Sequence, residues 1–138
     1  MQVHTIMTRQ AVTVSPDAIL MDVRGYFSSR GIHHLLVVDE GRLVGIISDR
    51  DMLQAVSPFL DTHTEDYRDV GTLMREAREI MSRDPVTIRP DGTVEEAATL
   101  LLEYEISCLP VVSESGEVEG ILTSKDILKY SSQHYQPE

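Results

Sequence analysis

Gly45-Ile46-Ile47-Ser48-Asp49-Arg50-Asp51 and Gly120-Ile121-Leu122-Thr123-Ser124-Lys125-Asp126 are two versions of one phrase: a glycine, two aliphatic residues, a hydroxyl residue, and a carboxylate three positions beyond it. Reading outward from each, the likeness continues. Met7, Arg9, Val12, Thr13, Pro16 and Asp17 recur 74 positions later as Met81, Arg83, Val86, Thr87, Pro90 and Asp91, and Ile32, Leu35, Val37 and Val38 recur at the same offset as Ile106, Leu109, Val111 and Val112. From Gly45 and Gly120 onward the offset is 75, so one residue is inserted near 39–42 and 113–117, the turns where an insertion is best tolerated. Residues 6–55 and 80–130 are therefore two copies of one unit, and such a repeat decides the fold before local propensities do.

Each copy predicts strand, helix, strand, strand, helix. Val12-Thr13-Val14 is a short β-branched strand, and Ser15 or Asp17 is placed to cap a helix with Pro16 in its first turn. The helix runs to about Ser29, presenting Ile19, Leu20, Val23, Tyr26 and Phe27 on one face, and Gly31 stops it. Leu35 to Val38 is continuously apolar, as expected of a strand covered on both faces; a turn at 39–41 leads to a third strand from Leu43 to Ile47. Ser48 with Asp51 three positions on opens the last helix as a capping box with Asp in the acidic place. The second copy repeats this as Val86-Thr87-Ile88, a helix from Val94 to about Tyr104, Leu109 to Val112, Val118 to Leu122, and a helix from Thr123. The division is 1–56, first repeat; 57–79, a linker acidic at first and helical from about Tyr67, with Leu73, Met74, Ala77, Ile80 and Met81 as an apolar stripe that packs on the repeats; 80–138, second repeat with a tail frayed from Ser131.

Composition narrows the function. The 138 residues carry a formal charge of −11, which disfavours nucleic acid because a phosphate backbone needs a basic face. The single cysteine, Cys108, rules out an internal disulfide and fits a reducing compartment; no apolar stretch approaches the roughly 20 residues of a membrane span, and the first residues lack the pattern of a signal peptide, so a cytoplasmic protein is expected. No nucleophile and base pair, P-loop or metal cluster stands out, so an enzyme is not expected.

The paired Gly-apolar-apolar-Ser/Thr-x-x-Asp endings, the openings Ile6-Met7-Thr8 and Ile80-Met81-Ser82, and the run Ile106-Ser107-Cys108-Leu109-Pro110-Val111-Val112 resemble the CBS (cystathionine-β-synthase) domain, which works in pairs called Bateman modules; the likeness spans nearly the whole chain and extends to the small stand-alone acetoin-utilisation type. The resemblance implies an α+β fold of two β-α-β-β-α repeats packed with pseudo-twofold symmetry, two related clefts for adenosine-containing ligands, and assembly as a homodimer. No cofactor is required; AMP, ADP or ATP is the expected ligand, with S-adenosylmethionine a further candidate, and the module regulates a protein the sequence does not name. By the same resemblance Asp51 and Asp126 take the ribose, and Ser48 and Thr123 with the helix-start amides face phosphate, supported by Arg50, Lys125, His33 and His34. The adenine slot is implied at Gln10, Val12, Ile32, His33 and Leu36 in one copy and at Asp84, Val86, Ile106, Ser107 and Pro110 in the other.

Plainer readings exist for each feature. Asp51 and Asp126 serve a helix start whether or not a ligand comes, and Ser48 and Thr123 are good N-caps in their own right. Adjacent His33 and His34 point to opposite faces of a strand, which argues against a metal pair. Cys108 reads as a packed thiol, and the methionines as gap fillers. Histidine participation predicts tighter nucleotide binding at mildly acid pH. The copies differ where His33 and Leu36 of the first correspond to Ser107 and Pro110 of the second, so two unequal sites are expected. The rival function is a ligand-free interaction or oligomerisation scaffold whose clefts are vestigial.

Overall fold

The computed structural model describes residues 1–134. Its chain order is β1 (Thr13–Val14), α1 (Leu20–Arg30), β2 (His34–Asp39), β3 (Arg42–Ser48), α2 (Asp49–Ala55), α3 (Tyr67–Gly71), α4 (Ala77–Ile80), β4 (Ser82–Arg83), α5 (Val94–Glu103), β5 (Cys108–Val112), β6 (Val118–Thr123) and α6 (Ser124–Gln133), with 3-10 turns at Val3–Thr5 and Thr72–Met74. This is the mixed α and β architecture expected, each repeat contributing a sheet and helices.

The first sheet has the order β1-β2-β3-β4, with β1 parallel to β2 and β4 antiparallel to β3. A two-residue turn joins β2 to β3 with both residues at positive φ, Glu40 at 50° and Gly41 at 80°, the backbone hand that suits a tight hairpin. The second sheet has β5 antiparallel to β6, with single bridges from Ile88 to Val111 and from Thr8 to Ile121 standing where the first repeat pairs Val14 with Val37 and Ile46 with Ser82. Register as well as element order is therefore repeated. Leu35, Leu36 and Val37 have no exposed surface, and every residue of β5 is buried, so both faces of these strands are covered as the continuous apolar runs imply.

The chain forms two compact units whose membership cuts across the sequence division. One contains residues 1–11, 41–43 and 85–138; the other contains 12–40 and 44–84. In the first, Val3, Met7, Ile88, Ala97, Leu101, Leu109, Val111 and Leu122 form the core, so the opening of the first repeat packs with the second. In the other, Leu20, Val23, Leu35, Val37, Ile47 and Met52 enclose Leu73 and Ala77 of the linker. The contacts that do this correspond. Val3 and His4 N–H donate to the carbonyls of Gly92 and Pro90, while Ala77 and Arg78 N–H donate to those of Ala18 and Pro16.

Four local expectations are corrected. The strand expected over Val86-Thr87-Ile88 is reduced to a single bridge, because only Ile88 pairs with β5, its N–H donating to Pro110 O and its carbonyl accepting from Val112 N–H. Ser15 and Asp17 do not cap α1: its N-cap is Ile19, with no side-chain hydrogen bond, and residues 15–18 form a turn. The carbonyls of Pro16 and Ala18 are engaged by 77–78, and Leu20 N–H donates to Arg75 O, which keeps Ile19 extended and delays the helix to Leu20. For the same reason the linker is not one helix. It breaks into α3, a 3-10 turn and α4 at Arg75 and Glu76, both extended, where Glu76 bridges Ile19; Met74 of the expected stripe is left 48% exposed. Finally, α6 continues through Gln133, so Ser131 to Gln133 are helical rather than frayed; 135–138 lie outside the described residues.

Candidate functional site

The glycine that opens each quoted phrase is a packing requirement. A Cβ on Gly120 would lie 2.7 Å from Thr8 O and 2.8 Å from Met7 Sδ, and one on Gly45 would lie 2.5 Å from Met81 Sδ. Only a bare backbone admits the methionine of the partner segment this closely. The strand then turns into a helix at Ser48 and Thr123, and both corners are reciprocal capping boxes. Asp51 N–H donates to Ser48 Oγ at 3.0 Å and Ser48 N–H to Asp51 Oδ2 at 2.9 Å; Asp126 N–H donates to Thr123 Oγ1 at 3.2 Å and Thr123 N–H to Asp126 Oδ2 at 2.9 Å. Each box uses one carboxylate oxygen, and the second retains its lone pairs for vicinal hydroxyls. Asp51 and Asp126 are half-buried, and a hydrogen bond to a charged acceptor is stronger than one between neutral groups.

A second tie brings the preceding strand's entry to the same corner. Asp49 N–H donates to His33 O at 3.0 Å, and Ser124 N–H to Ser107 O at 2.9 Å, supported by Ser124 Oγ at 3.3 Å. Two first-turn amides per helix are thus engaged within the protein, so fewer remain for a phosphate than the sequence offers. In the first repeat the tie continues through side chains, His33 Nδ1 lying 2.8 Å from Asp49 Oδ2. That hydrogen bond, above all, holds the Asp49 carboxyl below its usual range against opposing desolvation. His34 is pushed down by burial, opposed by the charges of Asp49 and Asp51 and reinforced by His33. Cys108 stands in the place of His34, buried and pushed up to about 12 by desolvation and then by Asp126, which leaves the thiol inert.

The residues selected from sequence divide between the two units. Val12, Ile32, His33, His34, Leu36, Ser48, Arg50, Asp51 and Asp84 belong to one unit, and Gln10, Val86, Ile106, Ser107, Pro110, Thr123, Lys125 and Asp126 to the other, so Gln10 and Asp84 fall in the units opposite to their own repeats. His33, His34, Ser48 and Asp51 meet around the α2 corner, and Ser107, Thr123 and Asp126 around the α6 corner. Arg50 and Lys125 are exposed on the first turns, while Val12, Ile32, Val86 and Ile106 are half-buried. Leu36 and Pro110 are fully buried and present no surface in this state. Asp49 lies outside the sequence-derived set, because its partner is 16 residues away and only the strand-to-helix tie reveals it. An open hollow of about 460 Å³ lined by Thr87, Ile88, Arg89, Asp91, Gly92, Glu96 and Leu100 includes none of the selected residues. Among the described residues no helix is long and apolar enough to cross a membrane.

Comparison with known proteins follows the same lines. A family model described as CBS domain matches residues 3–58 and 77–133. An inosine-5'-monophosphate dehydrogenase of Korarchaeum cryptofilum is 34% identical over 131 residues, 95% of this chain and 24% of that protein, and protein MJ1225 of Methanocaldococcus jannaschii is 35% identical over 127 residues, 90% of this chain and 45% of that one. The chain thus spans less than half the length of these curated relatives. Among solved structures, the CBS domain pair of protein MJ0100 in complex with 5'-methylthioadenosine and S-adenosyl-L-methionine superposes with a TM-score of 0.81 at 29% identity, covering 98% of both chains; CBSX2 in complex with AMP superposes with a TM-score of 0.79 at 26% identity, covering 96% of both.

Proposed function

The chain belongs to the CBS domain family, and from that premise we propose that it is a regulatory module that binds an adenine nucleotide and responds by a change of conformation or assembly. The observation that carries the reading is the capping-box carboxylate at the corner where β3 enters α2 and again where β6 enters α6. Asp51 and Asp126 each keep one oxygen for a ribose diol at a corner where Ser48 or Thr123 holds the carboxylate in place and Arg50 or Lys125 supplies positive charge on the adjoining turn. The adenosine ligands of the MJ0100 and CBSX2 structures support this ligand class. A purely regulatory role follows, with AMP the first nucleotide to test and ADP, ATP and S-adenosylmethionine after it.

A ligand shifts such a module only through unequal affinity for two arrangements. The test is thermal unfolding with and without saturating AMP, ATP and S-adenosylmethionine. Ligand at about 100 times its Kd stabilises the native state by about 2.7 kcal/mol. The double substitution D51A/D126A removes the effect, and unchanged melting with all three ligands overturns the proposal.

One observation favours a scaffold as the second reading. Leu53 and Leu128, at matching positions of α2 and α6, are 75% and 68% exposed, apolar surface suited to a second copy of the chain or a regulated protein. Under that reading D51A/D126A leaves self-association, measured by sedimentation, and partner binding intact, and no nucleotide alters either.

A further inference from the structure

The two corners share a backbone and differ in charge. His33, His34 and Asp49 of the first repeat stand where the second has Ser107, Cys108 and Ser124. The backbone tie is the same at both, from Asp49 N–H to His33 O and from Ser124 N–H to Ser107 O, so the substitution changes the chemistry of the site without changing its frame. In the first repeat an imidazole and a carboxylate pair across 2.8 Å, with Asp51 and His34 electrostatically coupled to them and Arg50 on the same helical turn. In the second, the two serines do not titrate near neutrality, and the Cys108 thiol is buried and kept neutral up to about 12.

Resting on the nucleotide reading above, we infer that the two sites select ligands by different electrostatics: the His33–His34–Asp49 cluster makes the first-repeat site a proton-coupled receptor for a phosphate-bearing adenosine ligand, whereas the Ser107–Cys108–Ser124 site binds its adenosine ligand without proton uptake. A phosphate dianion brought to the first-repeat corner meets the charges of Asp49 and Asp51, which oppose it. An imidazolium offsets them, and the bound dianion in turn favours the imidazolium, so binding takes up a proton and affinity rises as pH falls. Arg50 remains charged throughout this range and adds attraction that does not vary with pH. The useful window is about pH 6.5 to 8, because a phosphate monoester begins to lose its second charge near pH 6.

The experiment is calorimetric titration with AMP and with adenosine in phosphate-free buffers at pH 6.5 and 8.0, on the full chain and on H33S/D49S. That double substitution copies the second repeat's serines onto exposed positions, 75% and 49% accessible, where folding has little at stake. One AMP-binding event weakens several-fold between the two pH values, bounded at about tenfold per pH unit for one proton. The second AMP event and adenosine binding do not change, and H33S/D49S loses most of the dependence. Independently, the imidazole titrations of His33 and His34, followed by NMR, move to higher pH when AMP is added. Two AMP events insensitive to pH, a dependence undiminished in H33S/D49S, or unmoved imidazole titrations each overturn the inference while leaving nucleotide binding standing. Failure of AMP to bind at either pH overturns this inference, and failure of ATP and S-adenosylmethionine to bind as well removes the nucleotide reading with it.

Discussion

Glu105 occupies the place that Gly31 holds in the first repeat, and the two backbones adopt the same left-handed conformation, φ 53° and 63°. A helix ends there in both copies, and a side chain in that conformation costs of order 1 kcal/mol. The sequence shows the stop signal at Gly31 plainly and conceals it at Glu105, because the repeat's register forces the conformation on a residue that does not favour it. Glu105→Gly should therefore stabilise the protein by about 0.5 to 1 kcal/mol, read as a rise in denaturant midpoint at unchanged slope; a fall in midpoint would show that the glutamate's contacts outweigh its backbone strain. Legibility at the site divides in the same way. Ser48 with Asp51 and Thr123 with Asp126 can be read from spacing alone, since a capping box is local, whereas His33 with Asp49 depends on a strand entry and a helix start brought together by the sheet.

At the scale of elements, β2, β3, β5 and β6 and the helices α1, α2, α5 and α6 are legible because each has a continuous apolar run or a stripe at helical spacing, whereas the strand expected over 86–88 is reduced to one bridge at Ile88, and β4 (Ser82–Arg83), with no apolar run, goes unannounced. The linker is not legible either, since its backbone donors and acceptors are claimed by residues 16–20, and an extended pairing there overrides a helical pattern of side chains. The strand glycines extend this to packing. Gly45 and Gly120 occupy one position of the repeat, but the obstacle to a methyl group differs: at Gly45 it is the flexible Met81 side chain, at Gly120 the backbone carbonyl of Thr8 as well as Met7. Gly120→Ala should cost about 1 to 3 kcal/mol by overpacking and displacement of the bridge between Thr8 and Ile121. Gly45→Ala should cost measurably less, since Met81 can change rotamer. Equal midpoint shifts for the two variants in urea unfolding would contradict this distinction.

For the molecule as a whole, the exchange of opening segments alters what counts as a repeat. Residues 1–5 stand in the register of 75–79, and both segments present a fully buried side chain, Val3 and Ala77, to the core of a unit built mainly from the other copy. The structural repeat therefore begins some five residues before the point at which sequence likeness becomes visible, because identity is lost there while backbone pairing is kept: Gln2 bridges Thr93 where Glu76 bridges Ile19. Val3 has no exposed surface and sits with Ile88, Ala97, Leu109 and Leu122, so Val3→Ala leaves a small cavity and should cost about 2 kcal/mol. The loss should also be local. The core around Leu20, Val23, Leu35 and Ile47 contains no residue of the opening segment, so hydrogen exchange in V3A should speed up across α5, β5 and β6 while α1 and β2 keep their protection. Uniform acceleration in both units would mean that they open as one cooperative body, and a nucleotide bound at Asp51 would then protect the amides of β5 as strongly as those of β2.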